Sequence, residues 1–163
     1  MACPYFAPTA VSNEIAWLHP SRLPLGAGFE GHCDAPGYEG CAPTSEQIKE
    51  HCNMGYAFSC TRLPENRECD AVRFGIVRES AAYVTVWFIF ETAHRPAGHG
   101  TLEFNISNGQ WITVHPTPRI QKLADCYVHA YLARKHFTPH APLLETDAAT
   151  QSNLPKKDFN AAK

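Results

Sequence analysis

The chain has 163 residues, of which 44% are hydrophobic, and a formal net charge of −2. That is about one domain, with enough apolar residues to build a core without cysteine staples. No stretch is rich in Lys and Arg, so a phosphate-tracking surface is excluded and nucleic acid is not an expected partner. The longest apolar run, Ala81 to Phe90, is too short to cross a bilayer as a helix, and no membrane insertion is expected.

The cysteines divide the chain. Six of the seven fall in residues 1–69, with seven of the thirteen prolines and six of the ten glycines. This part carries four Lys/Arg against eight Asp/Glu, whereas residues 70–163 carry ten against eight. The expectation is one α+β domain over residues 1–137, made of an irregular cysteine-bearing lobe (1–69) and a regular sheet-and-helix lobe (70–137), with an extended tail from 138 to 163. The opening M-A-C-P-Y-F-A-P lacks a basic region and a continuous apolar region, so no export signal is read and a cytoplasmic location is expected. Reduced, ligating or redox-active thiols then become more natural than disulfides, with which an odd count of seven also fits poorly.

Taken in order, residues 1–43 show little periodicity. Asn13 to Leu18 reads as a helical turn or an extended apolar anchor, ended by Pro20 and Pro24. Residues 25–43, rich in Gly and Pro, read as an ordered loop, for which a bound metal would supply a reason. A first helix is expected over 44–54: Thr44 and Gln47 form a capping-box pattern, Glu46 suits the first turn, and Gly55 suits the position after the end. Cys52 then lies in the last turn, and Cys60 follows on the returning chain.

An antiparallel sheet of about four strands is expected over 71–115. Val72, Phe74 and Ile76 alternate with Arg73, Gly75 and Val77. Val84, Val86, Phe88 and Phe90 face one way, with Tyr83, Thr85, Trp87 and Ile89 on the other. The run from His94 to Gly100 reads as a tight loop. Thr101 to Ile106 is the third strand, Asn108-Gly109 a two-residue type I′ hairpin, and Gln110 to His115 the fourth strand. A long helix over 118–136 follows, with Thr117 as cap and Pro118 in its first turn. Ile120, Leu123, Ala124, Tyr127, Val128 and Tyr131 form its apolar stripe, expected to pack on the Val84–Phe90 face. The opposite sheet face is left for the cysteine lobe to cover. Residues 138–163 have no apolar period and should not order alone.

Four thiolates complete either a zinc site or an iron–sulfur cluster. Zinc knuckles bring ligands in close C-x2–4-C pairs, and none exists here. From Cys3 onward the cysteines are separated by 29, 7, 10, 7 and 8 residues, which leans towards a [4Fe–4S] cluster, since its corners accept ligands from separate points. Cys3, Cys33, Cys52 and Cys60 are the expected ligands. Cys41, near the helix start, is the first substitute, Cys69 precedes a strand, and Cys126 sits mid-helix. His94, Arg95 and His99 are candidates for an outer shell that tunes the centre. His32 and His51, each beside a cysteine, are mixed-ligand alternatives, although solvated histidines are the plainer reading.

The elements C-P-Y-F, P-L-G before G-H-C, C-N-M-G-Y-A-F-S-C, D-A-V-R-F, H-R-P-A-G-H-G-T-L-E-F and the closing helix resemble a group of short bacterial cysteine-rich proteins with no established activity. The likeness covers roughly residues 1–136. Its shared marks fall on Cys3, Cys33, Cys52 and Cys60 and omit Cys41, Cys69 and Cys126. The resemblance thus implies the same four ligands and no reaction. The leading expectation is a small iron–sulfur protein for electron transfer, or an accessory subunit that meets a protein partner in a larger redox complex, and not an enzyme by itself. The alternatives are a zinc-stabilised interaction module and a metal-free cysteine or histidine enzyme. No C-x-x-C redox pair, phosphate-binding glycine loop, G-x-S-x-G elbow or H-E-x-x-H motif is present.

Overall fold

The computed structural model describes residues 1–56 and 59–137; the expected tail from 138 lies outside the described residues. The architecture is α+β, with two antiparallel sheets and one long C-terminal helix.

Residues 1–43 are more regular than their composition implies. Strands β1 (Phe6–Val11) and β2 (Phe29–Cys33) pair antiparallel as a two-stranded ribbon. The stretch read as loop from 25 therefore contains a strand. Pro8 and Gly31 hide the pairing, because neither belongs in an alternating run. Gly31 is nonetheless demanded by it: a Cβ there would stand 2.2 Å from the Ala7 carbonyl oxygen. Asn13 to Leu18 forms no regular element, and Pro20–Arg22 makes one 3-10 turn.

The first helix begins as expected and ends differently. Helix α1 (Ser45–Gln47) has its full capping box: the Gln47 N–H donates to Thr44 Oγ1 (3.2 Å) and the Thr44 N–H to Gln47 Oε1 (3.0 Å). The chain then widens into a π turn over Ile48–Cys52, where the Asn53 N–H reaches back to the Ile48 carbonyl (3.2 Å). The side chain of Asn53 accounts for the widening. Its amide donates to the carbonyls of Ile48 (3.1 Å) and Phe29 (2.9 Å), and its carbonyl accepts the Phe29 N–H (2.8 Å). Anchored to β2 in this way, Asn53 holds the last turn open. Gly55 follows at φ +65°, the left-handed position expected after a helix.

Strands β3 (Ala71–Glu79), β4 (Tyr83–Thr92), β5 (Arg95–Asn105) and β6 (Gln110–Thr113) form the main sheet in sequential order. Two connections depart from expectation. The link from β4 to β5 is only Ala93-His94, both at positive φ (48° and 62°), so Arg95 to Gly100 is strand rather than loop. Gly100 is there for space: it pairs with Phe88, and a Cβ on it would lie 2.6 Å from that ring, whereas Gly98, paired with Phe90, has room for a Cβ. The β5–β6 loop spans four residues, 106–109, because Asn105 pairs with Gln110. Only Gly109 has positive φ (69°), and the side-chain carbonyl of Asn105 accepts the Ser107 and Asn108 N–H groups.

Helix α2 (Pro118–Phe137) lies on the face expected for it. Ile120, Leu123, Ala124 and Val128 are buried with Val72, Phe74, Val84, Val86, Phe88, Leu102 and Phe104. Tyr127 stacks on Phe74 at 5.8 Å, and the Tyr131 hydroxyl donates to Glu79 (2.7 Å). The position of the cysteine lobe differs. It packs on α2 and on the β3 edge and meets the far face of the sheet at one end, where Met1 and Tyr56 reach Arg73 and Glu91, while Tyr83 (42%) and Val77 (61%) on that face stay exposed. The Arg119 and Arg134 side chains donate to the carbonyls of Asp34 (3.1 Å) and Gly26 (2.7 Å). Ala130 and Ala133, small residues of α2, border the same groove as Thr9 to Val11 and so let β1 approach. At the other edge, Ala2 and Val72 exchange backbone hydrogen bonds of 2.6 and 3.0 Å. One buried cluster consequently runs from Ala2, Cys3, Phe6, Cys33 and Cys52 through α2 to the sheet. Among the described residues no helix is long and apolar enough to cross a membrane.

Candidate functional site

Each of the four expected cysteines is placed by a different local device. Cys3 opens a turn in which Pro4 holds the second position and the Phe6 N–H donates to the Cys3 carbonyl (3.2 Å). Cys33 ends β2 and is fixed by its N–H donating to the Cys41 carbonyl (2.9 Å). Cys52 ends the π turn, next to the anchored Asn53. Cys60 starts a turn closed by the Leu63 N–H (3.2 Å). All four line one cavity. Its apolar wall includes Tyr5, Phe6, Pro43 and Leu63, and its polar lining is Gln47, His51 and Arg62.

The remaining cysteines stand elsewhere. Cys41 is exposed, Cys69 is buried and Cys126 is half-buried on α2, and none lines the cavity. His94, Arg95 and His99 are exposed and do not line it either. His94 stacks on Tyr56 at 4.1 Å, and His99 pairs with Ile89 in mid-strand. His51 does reach the cavity, whereas His32 pairs with Asp34 (3.3 Å). Arg62 and Gln47 went unnoticed as cavity residues in the sequence. Gln47 shows there only as a helix cap, and the one signal for Arg62 is its place two residues after Cys60. The two buried carboxylates, Asp70 and Glu91, are held by Arg67 (2.5 Å) and Arg73 (2.6 Å) at the sheet end and are not cavity groups.

The cavity is tight. Its volume is about 20 Å³. That is room for about one water. Among the described residues, no three or more His, Cys, Asp or Glu side chains converge so as to hold a single metal ion. The thiols surround a space instead of meeting at a point.

Burial pushes the Cys3 thiol up to about 12, with the neighbouring Cys33 and Cys60 adding to the effect and the Tyr5 and Phe6 N–H groups opposing it. Burial likewise pushes Cys52 up to about 12, reinforced by Cys3, Cys60 and Cys33 and opposed by Arg62. Without a cation these two groups stay protonated at neutral pH. The linkage has a definite sign: an unfolded thiol ionises near 9, while the folded chain retains the proton to about 12. Metal-free, reduced protein is therefore expected to keep its full stability below about pH 9 and to lose it as pH rises from there towards 12. Denaturant midpoints measured in chelator and reductant at about pH 8 and about pH 10.5 check this. A midpoint that holds or rises would show that the thiols are not buried as described.

Comparison with known proteins gives no match: no family model, no curated protein and no solved structure is significantly similar to the chain.

Proposed function

We propose that the chain is a small iron–sulfur protein whose Cys3, Cys33, Cys52 and Cys60 thiolates hold one [4Fe–4S] cluster, and that it transfers electrons or serves as an accessory subunit of a larger redox complex in the cytoplasm. The observation that carries this reading is the gathering of four thiols, spread from residue 3 to residue 60, around one buried cavity. The donor set suits the group. Four thiolates complete such a cluster, one to each corner, whereas zinc requires all four to converge on one ion. Buried thiols that resist ionisation alone become thiolates when iron is present, so loading would release protons. The tight cavity means that loading must displace part of the lining. The turns at Cys3 and Cys60 are the supports best able to give, since they belong to no strand or helix.

A bound cluster supplies one-electron chemistry. The chain's own part is to shield it with Tyr5, Phe6, Pro43 and Leu63 and to set its potential through charge and hydrogen bonding. Burial holds the Cys3 and Cys52 thiols protonated, and the thiolate is the nucleophile, so these two cysteines are poor candidates for a metal-free enzyme's reactive group. Protein purified without oxygen is expected to contain about four iron and about four acid-labile sulfide per chain, with visible charge-transfer absorption. Stoichiometric zinc, or neither metal nor sulfide, would overturn the proposal.

A further inference from the structure

The cavity holds one group whose bonding is incomplete. Arg62 lines it, and its Nη1 is buried with no hydrogen-bond partner. The rest of the guanidinium is engaged. Nη2 donates to the Ala42 carbonyl (3.2 Å), and the plane sits over the Tyr38 ring with 5.2 Å to the centroid. These contacts fix the head group on the Tyr38–Ala42 segment, whose far end meets Cys33 through the Cys33–Cys41 bridge. A buried donor left unmade costs about 1–3 kcal/mol, and such a group in a folded protein calls for an explanation. Arginine is the demanding choice, since it cannot shed its charge. It is also the only Lys or Arg among the described residues lining the cavity, and no Asp or Glu lines it.

We infer that Arg62 is the built-in cation of the site: its free Nη1–H donates to a sulfur of the bound cluster and, with its charge, raises the reduction potential of the centre. The inference rests on the iron–sulfur reading given above. Four thiolates bring net negative charge into an apolar cavity, and both the fixed charge and the hydrogen bond favour the state with one electron more. The Tyr38 and Ala42 contacts hold the guanidinium beside the cavity, with Nη1 buried.

The test is the midpoint potential of anaerobic, cluster-loaded protein, followed optically, with iron and sulfide measured on the same samples. Arg62→Lys, Arg62→Gln and Arg62→Met are compared with the parent chain. All three potentials are expected to shift negative, Gln and Met further than Lys, because Lys keeps the charge and loses the two-armed geometry. Any variant that holds full iron and sulfide yet sits at the parent potential overturns the inference. Should the neutral variants fail to load, Arg62→Lys decides alone, and an unshifted potential counts against the hydrogen bond. A parent protein without iron overturns both this inference and the proposed function, whereas an iron-loaded series with equal potentials removes only the role of Arg62.

Discussion

Replacing any one of Cys3, Cys33, Cys52 or Cys60 by serine is expected to remove most of the iron from anaerobically purified protein and to loosen the front of the molecule. A hydroxyl is a poor substitute for a thiolate corner. At Cys3, Cys33 and Cys52 it also places a polar group in a buried, largely apolar site, at a cost of about 1–3 kcal/mol even without metal. The other cysteines supply the controls. Cys41→Ser, on an exposed side chain, should retain iron and change stability by less than about 0.5 kcal/mol. Cys69→Ser should lower stability through burial and still retain iron, since Cys69 does not line the cavity. Iron per chain and denaturant midpoint, measured for all six variants, separate ligation from packing. Full iron in any of the first four, or lost iron in a folded Cys41 variant, would redraw the ligand set.

The second large effect is expected at Asn53. This residue is 2% exposed and makes three side-chain hydrogen bonds, two that join the π turn to β2 and one to the Ile48 carbonyl within the turn. Asn53→Ala leaves the Phe29 N–H and the Phe29 carbonyl without these side-chain partners in a buried setting. The cost is about 2–4 kcal/mol, taking unmade buried hydrogen bonds at the usual values. The effect should reach the cavity as well, because Cys52 is the neighbouring residue and Cys33 ends the strand that Phe29 begins. Chemical denaturation gives the first number, and iron retained after mild chelation gives the second. Asn53→Asp should fall between, since it keeps an acceptor for the Phe29 N–H and loses both amide donations. A stable Asn53→Ala protein would mean that the π turn is held by something other than this side chain.

Much of the regular lobe was legible in the sequence. Alternation in Val72–Ile76, Val84–Phe90 and Leu102–Phe104 reports a sheet with one buried face, and the Ile120–Val128 stripe reports the helix lying on it. The capping box at Thr44 and Gln47 reports the helix start directly, because its two bonds are local. What escaped depends on neighbours remote in sequence. Gly98 and Gly100 carry turn chemistry in isolation, and only the ladder to Phe90 and Phe88, with the Phe88 ring against Gly100, makes them strand residues. Ala93 and His94 take positive φ without the residues that usually signal it. The π turn is drawn open by a side chain bonded to Phe29, which no helical period records. The face of the sheet that the lobe covers was not legible either, since β4 is apolar on both sides. At the site, the four thiols singled out by their positions along the chain line one cavity. The one hint of Arg62 is its place two residues after Cys60, and nothing in the sequence shows that its Nη1 is buried without a hydrogen-bond partner.

The ladder between Ala2 and Val72 bears on when the site comes into being. The residue before Cys3 is tied to a strand that the ribosome makes about seventy codons later, so a growing chain carries its first thiol long before that tie can form. Closing so long a loop costs conformational entropy that local turns do not. The reward arrives only once β3 has paired. On the proposed function, iron delivery follows the pairing of Ala2 with Val72, and a fragment ending before Val72 would lack the two backbone bonds that hold the N-terminus beside Cys3.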